Sequence, residues 1–314
     1  MSFSGMVKEE LSRQISTARH CRIAEIAALL SACGKMTAAG ILRFQTENDA
    51  VVRKYFTLLQ KTFNIETEIA IRESRQMKKG NVYYVEITDP GQVETVLQGT
   101  KLSVNEGDGE TLYTENALLT QQSCCKRAFI RGAFLASGSI SDPEKGYHFE
   151  IVTVSEKRAQ QLQQIIRTCG IEAKTVVRKK YHVVYAKEGE QIGDLLSLME
   201  APKARMNFEN IRILKDVRNS VNRKVNCEAA NLNKTANASL EQVRDIEYIS
   251  EYYGLESLPE NLRQAARLRL EKPDASLTEL GKMMDPPVSK SGVNHRFKKL
   301  KALADQMREK GGRL

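Results

Sequence analysis

The sequence predicts an α+β protein in which a duplicated αββαββα domain is followed by a smaller all-helical domain. Three observations lead to this prediction. Two similar helical stretches, IAALLSACG and IRGAFLASG, each end on a glycine that opens a strand. The segments after them repeat one order of helices and strands at an offset of about 100 residues, which is typical of an internal domain duplication. Beyond residue 200 the strand pattern stops, and the sequence becomes helical and basic.

Composition excludes several classes of protein. The chain has 314 residues, a net charge of +9 and 28% charged residues, which is ordinary for a globular protein. It contains no apolar run long enough for a membrane span and no signal-peptide pattern at its start. The six cysteines form no CxxC pair, and the four histidines are scattered. We therefore expect a cytoplasmic protein with reduced cysteines, no metal site, no cofactor and no small-molecule substrate.

Each half of the duplication predicts the same elements in the same order. A helix ends at Gly34 or Gly138, and a hairpin follows. In the first half (about 21–100) we then expect a helix Asp49–Phe63, strands Glu66–Arg75 and Asn81–Thr88, and a helix Gly91–Gln98. In the second half (about 115–200) we expect a helix Glu156–Cys169, strands Ile171–Lys179 and Tyr181–Lys187, and a helix Gln191–Glu200. Asn48 and Ser155 are candidate N-caps, and residues 1–20 are a helical N-terminal segment.

Small residues on the two glycine-ended helices predict that these helices pack against each other. The first contributes Ala27, Ala28, Ser31 and Ala32, and the second contributes Gly132, Ala133, Ala136 and Ser137. Each helix alone would be consistent with an ordinary buried amphipathic helix. The duplication favours mutual packing along an internal twofold axis.

IRGAFLASG resembles the LAGLIDADG motif of homing endonucleases, and Ile26–Gly34 is a weaker copy of it. The resemblance implies paired motif helices and two saddle-shaped sheets. In that family the eighth motif residue is an acid, and one acid from each helix holds the divalent metal for phosphodiester cleavage. The corresponding residues here are Cys33 and Ser137, which are poor ligands for magnesium. We therefore expect that catalysis is lost and that the chain has no catalytic residues.

Residues 201–237 predict a basic helix followed by a polar linker. Positive charge clustered in this way displaces counterions from phosphates, and asparagine and arginine suit phosphate and base contacts. An exposed helix with a solvated basic face is the alternative. The candidate DNA contacts in this segment are Arg212, Lys215, Arg218, Asn222, Arg223, Lys224, Asn226 and Lys234.

Residues 238–314 predict a helical domain that contains a helix-turn-helix. Ser239 is a candidate cap for a helix ending at Gly254, and Pro259 and Pro273 bound the next helix. Leu277, Leu280 and Met284 then form an apolar stripe, Asp285-Pro286-Pro287 breaks the helix, and Ser289 caps a basic one. That helix has the expected core positions Val293, Phe297, Leu300 and Ala304. The segment resembles the helix-turn-helix of region 4 in bacterial sigma factors.

The basic second helix of this motif is the predicted base-reading element, because such helices enter the major groove. Asparagine pairs with adenine and lysine with guanine acceptors. His295 is equally consistent with an ordinary surface residue. The candidate contacts are Ser289, Lys290, Ser291, Asn294, His295, Arg296, Lys298 and Lys299.

The degenerate duplication, the segment VNRKVNCEAANLNKT and the helix-turn-helix together resemble the WhiA family of bacterial regulators over essentially the whole chain. The resemblance implies a sequence-specific DNA-binding transcription regulator tied to sporulation and cell division, with double-stranded DNA as its partner. RNA polymerase or a co-regulator protein is a further candidate partner; in actinobacterial relatives the implied partner is an iron–sulfur protein. The alternatives are a metal-dependent endonuclease and an RNA-splicing cofactor, although a helix-turn-helix favours duplex DNA.

Overall fold

The structure is a computed structural model that describes residues 2–73, 81–105, 110–114 and 117–309. Its contacts divide the chain into two compact units, Met1–Asp216 and Val217–Leu314. Each unit has its own apolar core, as expected for independent domains.

The first unit contains two copies of one αββαββα arrangement. After α1 (Phe3–Ser12), the first copy consists of α2 (Arg19–Cys33), β1 (Gly34–Met36), β2 (Leu42–Thr46), α3 (Asp49–Phe63), β3 (Ile69–Glu73), β4 (Asn81–Ile87) and α4 (Pro90–Thr100). A short two-stranded sheet, β5 (Ser103–Val104) and β6 (Leu112–Tyr113), follows it. The second copy consists of α5 (Ser123–Ser137), β7 (Gly138–Ile140), β8 (Phe149–Thr153), α6 (Glu156–Arg167), β9 (Lys174–Arg178), β10 (Tyr181–Ala186) and α7 (Gly189–Leu198).

The sheet topology confirms the predicted duplication. The first sheet has the antiparallel order β1-β2-β4-β3, and the second has the equivalent order β7-β8-β10-β9. Asn48 and Ser155 are the N-caps of α3 and α6, as predicted. Several predicted ends shift by a few residues; the strand predicted over Glu66–Arg75 is found as Ile69–Glu73, residues 66–68 are not in a strand, and residues 74 and 75 lie outside the described residues.

The two glycines at the helix ends are required by the abrupt change from helix to strand. Gly34 and Gly138 adopt extended backbone directly after α2 and α5. A Cβ on Gly138 would lie 2.7 Å from the Phe134 carbonyl oxygen, and one on Gly34 would lie 2.5 Å from that of Leu30. Any side chain at these two positions would therefore displace the last helical turn.

Helices α2 and α5 pack side by side through small residues, as predicted. A Cβ on Gly132 would lie 2.7 Å from the Glu25 carbonyl oxygen and 2.9 Å from the Ala28 Cβ. Ala27, Ala28 and Ala133 are buried, whereas Ala32 at the far end of its helix is exposed. The close approach of the two backbones at Gly132 therefore leaves no room for a side chain there.

The structure corrects the prediction of a linker in residues 201–237. One continuous helix, α8, runs from Pro202 to Tyr252, and Ser239 lies inside it rather than capping a new helix. The Ser239 hydroxyl instead donates a hydrogen bond to the Pro273 carbonyl oxygen. The helix starts at Pro202, where the Glu10 carboxylate accepts hydrogen bonds from the backbone N–H groups of Lys203 and Ala204, at 2.8 Å each. The asparagine-rich composition of residues 201–237 suggested a linker. After Pro202, however, this segment contains no proline or glycine that would end a helix.

A short 3-10 helix (Leu255–Ser257) and three α-helices follow in the described part of the second unit: α9 (Glu260–Glu271), α10 (Leu277–Met283) and α11 (Lys290–Glu309). Their core joins residues from α8 to residues of the helix-turn-helix. It includes Ile246, Ile249, Leu262, Ala266, Leu280, Met284, Val293, Phe297, Leu300 and Ala304. All four predicted core positions of α11 are buried, and Met307 extends the same stripe by one turn.

Candidate nucleic-acid interface

Helix α11 begins where the sequence predicts and for the predicted reason. The Ser289 side chain accepts a hydrogen bond from the Gly292 backbone N–H at 3.3 Å, and its carbonyl oxygen accepts one from the Val293 N–H at 3.0 Å. Serine at this position satisfies N–H groups that lack a partner in the first turn. The cap therefore fixes the residue at which α11 begins.

The turn between α10 and α11 depends on a close backbone contact at Gly281. The Val288 N–H donates to the Gly281 carbonyl oxygen at 2.9 Å. A Cβ on Gly281 would overlap the Val288 carbonyl oxygen and lie 3.2 Å from Val293 Cγ2. Glycine is thus required for α10 to reach the first turn of α11. This role of Gly281 was not predicted from the sequence, although the SLTELG segment contains the glycine that signals it.

A capping box starts α10 and was also missed. The Ser276 hydroxyl accepts a hydrogen bond from the Glu279 N–H at 3.3 Å, while the Glu279 carboxylate accepts one from the Ser276 N–H at 2.8 Å. This reciprocal pair satisfies two N–H groups of the first turn, and it lowers the pKa of Glu279 below its usual range. Because α10 has only seven residues, this capping box fixes a large part of the helix.

Arg269 braces the helical domain from within. Its guanidinium lies over the Phe297 ring at 5.2 Å and donates to the Pro273 and Ala275 carbonyl oxygens and to the Gln242 side chain. Only 2% of the residue is exposed, and burial lowers its pKa. A buried arginine with these acceptors connects α8, α9 and α11, so it serves the fold rather than a ligand.

The candidate contacts on α11 separate into two groups. Seven are exposed on the side opposite the core stripe: Ser289, Lys290, Ser291, Asn294, His295, Lys298 and Lys299. Arg296 differs, because it is half-buried and its guanidinium donates to the Asn261 carbonyl oxygen at 3.3 Å and contacts Met284 Sδ at 3.2 Å. Arg296 therefore holds α11 against α9 and is removed from the proposed DNA contacts.

The candidate contacts on α8 separate in the same way. Arg212 pairs with Glu209 at 3.0 Å, while Lys215 donates to the Pro143 carbonyl oxygen at 3.0 Å and lies 4.7 Å from the centre of the Tyr147 ring. Lys215 thereby fastens this part of α8 to the loop between β7 and β8, a structural role that the sequence did not reveal, whereas the Arg212–Glu209 pair lies within α8. The remaining candidates are exposed: Arg218, Asn222, Arg223, Lys224, Asn226 and Lys234.

The positions that would hold a catalytic metal in LAGLIDADG endonucleases carry neutral side chains here. Burial raises the pKa of the Cys33 thiol to about 11, although the nearby Lys8 ammonium opposes the shift. The Ser137 hydroxyl donates to the Ala133 carbonyl oxygen of its own helix at 3.5 Å. Neither side chain offers the anionic oxygen that Mg²⁺ prefers, and the adjacent Lys8 would repel a cation.

Among the described residues, no helix combines the length and apolar character that crossing a bilayer requires.

Three family models match the chain. The WhiA N-terminal LAGLIDADG-like domain matches residues 19–103, the WhiA LAGLIDADG-like domain matches 126–218, and the WhiA C-terminal HTH domain matches 221–304. Their limits coincide with the two copies of the duplication and the helical domain.

Relatives match over nearly the full length. A probable cell division protein WhiA from Lachnoclostridium phytofermentans is 54% identical over 98% of this chain and 100% of its own. A protein of the same description from Desulforamulus reducens is 45% identical over 98% of this chain and 97% of its own. The crystal structure of full-length DUF199/WhiA from Thermatoga maritima superposes with a TM-score of 0.60 at 25% identity, covering 98% of this chain and 99% of that one. The chain belongs to the WhiA family, with a LAGLIDADG-like domain followed by a C-terminal helix-turn-helix domain.

Proposed function

We propose that the protein is a sequence-specific DNA-binding transcription regulator whose LAGLIDADG-like domain has no nuclease activity. The observation that carries the proposal is the exposed face of α11. Its core stripe is buried, and the opposite side presents Lys290, Asn294, His295 and Lys298 within the first turns after the cap. This is the part of a helix-turn-helix that reaches base edges in the major groove.

Two side chains on this face have the hydrogen-bonding groups needed to read bases. An asparagine amide donates to and accepts from adenine, and a lysine ammonium donates to the guanine acceptors. We assign these roles to Asn294 and Lys298. Lys290, Ser291 and Lys299 then contact phosphates on either side, as do the exposed basic residues of α8 from Arg218 to Lys234. Lys215 and Arg296 have structural roles instead, and Arg212 is already paired with Glu209.

A regulator of this kind acts on the nucleoid in the cytoplasm. The description of its relatives as probable cell division proteins supports a role in cell division, and RNA polymerase or a co-regulator protein is the expected second partner. The family resemblance supports a further link to sporulation. Both roles require the α11 face to reach duplex DNA.

The proposal is tested with the full chain. Selection from a random duplex library yields a preferred site, and fluorescence anisotropy then compares that site with a scrambled duplex. Substituting Asn294→Ala and Lys298→Ala is expected to cost about 1–3 kcal/mol for each base contact and to remove the preference. Lys272→Ala is the matched control, because it removes an exposed lysine of the same unit outside α11. A double variant that keeps the wild-type preference would show that α11 does not read bases.

The absence of nuclease activity needs a separate experiment. The pure protein is incubated with supercoiled plasmid and either Mg²⁺ or Mn²⁺, and nicking is followed on a gel. The neutral Cys33 and Ser137 side chains lead us to expect intact plasmid. Cleavage that disappears in Cys33→Ala or Ser137→Ala would establish an enzyme at the helix ends and overturn this half of the proposal.

A further inference from the structure

Four potential metal ligands meet at the opposite ends of α2 and α5 from the LAGLIDADG-like positions. His20 and Cys21 lie in the first turn of α2, and Cys124 and Cys125 lie in the first turn of α5. The offset between Cys21 and Cys125 is the same as that between the terminal glycines Gly34 and Gly138. The two pairs therefore occupy equivalent positions in the duplication, and the packing of α2 on α5 brings them together.

The distances between the four side chains suit a single small cation. The candidate ligand atoms of all four residues lie within 4.8 Å of one another. His20 Nδ1 lies 3.1 Å from Cys125 Sγ and 3.4 Å from Cys21 Sγ. Tetrahedral zinc, with bonds of about 2.0–2.3 Å, separates its ligand atoms by roughly 3.3–3.8 Å. The two measured separations in the cluster are thus close to those of a tetrahedral site.

We propose that His20, Cys21, Cys124 and Cys125 form a closed binding site for Zn²⁺ or a cation of the same borderline-soft class. Three thiolates and one imidazole are a donor set found in structural zinc sites and unsuited to magnesium or calcium. Because the protein supplies all four ligands, no position remains for water or substrate. The ion would fasten the starts of the two paired helices and would be structural.

Zinc binding at this cluster is linked to proton release. Zn²⁺ is bound by the thiolate form of cysteine rather than by the thiol. Binding of Zn²⁺ converts three thiols to thiolates and releases three protons to solvent, so affinity rises with pH.

This inference departs from the sequence-based expectation of no metal site. The expectation rested on spacing along the chain, where neither His20-Cys21 nor Cys124-Cys125 resembles a zinc-binding motif. The two pairs come close together only because α2 packs on α5. The site is also independent of the proposed DNA interface, because it lies wholly within the first unit.

Metal content and affinity test the proposal. The full chain is purified under reducing conditions from zinc-supplemented medium, and about one zinc ion per chain is expected by elemental analysis. The stripped protein is then titrated with Zn²⁺ against a chromophoric chelator. Substituting Cys124→Ser or His20→Ala is expected to weaken affinity about 100-fold or more, since even loss of a group that only orients a ligand costs 10–100-fold. Cys227→Ser, at an exposed cysteine of α8, is the matched control and should bind as the wild type does.

A spectroscopic measurement keeps the proposal falsifiable if a variant misfolds. Co²⁺ added to the stripped wild-type protein should give the intense ultraviolet thiolate-to-cobalt band and the visible bands of a tetrahedral complex. A spectrum typical of octahedral Co²⁺ would overturn the proposal. It would also be overturned by a disulfide among these cysteines in the freshly purified protein, or by wild-type zinc affinity in folded Cys124→Ser.

Discussion

The Glu25 carboxylate accepts two hydrogen bonds from the Arg131 guanidinium, from Nε to Oε1 at 3.0 Å and from Nη2 to Oε2 at 3.2 Å. The pair joins α2 to α5, and both residues are almost completely buried. Lys54 Nζ lies 2.5 Å from Glu25 Oε1 and donates to the Leu11 carbonyl oxygen. Arg131 also reaches the half-exposed Glu200 at 2.6 Å. A satisfied ionic network is thus embedded in the apolar core of the unit.

Removing the central charge of this network should strongly destabilise the first unit. Glu25→Gln leaves Lys54 and Arg131 buried without a full counter-charge, and losing one partner of a buried ion pair costs about 3–5 kcal/mol. Glu200→Gln is the control, because Glu200 is half-exposed and its loss should cost about 1 kcal/mol or less. Denaturant titrations followed by circular dichroism measure both. Equal effects of the two substitutions would contradict the central role of Glu25.

Lys54 should give the free energy of unfolding a distinctive pH dependence. Desolvation lowers its pKa to about 8 from 10.5, although Glu25 opposes the shift. The unfolded chain keeps the ordinary value, so between these two values it binds more protons than the folded chain does. In this window Lys54 therefore makes the free energy of unfolding increase as pH rises.

Lys54→Met should remove that contribution. Denaturant titrations at about pH 7.5 and about pH 9.5 should show a less positive change in the free energy of unfolding for the variant than for the wild type. Lys61→Met, at an exposed position of the same helix α3, should behave as the wild type does. Identical changes in wild type and Lys54→Met would mean that Lys54 titrates normally.

Gly281→Ala should destabilise the helix-turn-helix even though alanine favours helices. The added Cβ overlaps the Val288 carbonyl oxygen, so the turn must open, and overpacking of this kind costs about 1–3 kcal/mol. Thermal unfolding followed by circular dichroism measures the loss. Gly146→Ala is the control, because a Cβ there meets nothing within 4 Å. An unchanged or higher stability of Gly281→Ala would show that the turn adapts.

Phosphate and base contacts should differ in their dependence on salt and sequence. Replacing Arg218, Arg223 and Lys224 by alanine should weaken binding to preferred and random duplexes equally. Each lost phosphate contact should reduce the slope of log affinity against log salt by about 0.9. Asn294→Ala should instead lower affinity for the preferred site only. Anisotropy titrations at several salt concentrations distinguish the two cases.

Arg205→Ala is the control for the salt experiment, because Arg205 is an exposed arginine near the start of the same helix α8 and is not among the proposed contacts. It should leave the slope unchanged. A slope reduced as much by Arg205→Ala as by a substitution at Arg218 would indicate a general charge effect rather than contacts by the 218–234 segment.

The sequence by itself determined the duplication, the positions of most helices and strands, and the core stripe of α11. These features are local: glycines that end helices, caps such as Asn48 and Ser289, and apolar residues at helical spacing act within a few residues of themselves. The neutral side chains at Cys33 and Ser137 were likewise readable once the motif was aligned with its copy.

Only the tertiary structure decided which polar residues are available to a partner. Lys215 and Arg296 look like DNA contacts in the sequence, yet each is held by a residue distant in the chain. The same holds for Glu25 with Arg131 and for His20 with Cys125, whose partners lie more than a hundred residues away. Charge and ligand type are properties of a residue, but pairing depends on burial and on the packing of α2 against α5, which no local pattern specifies.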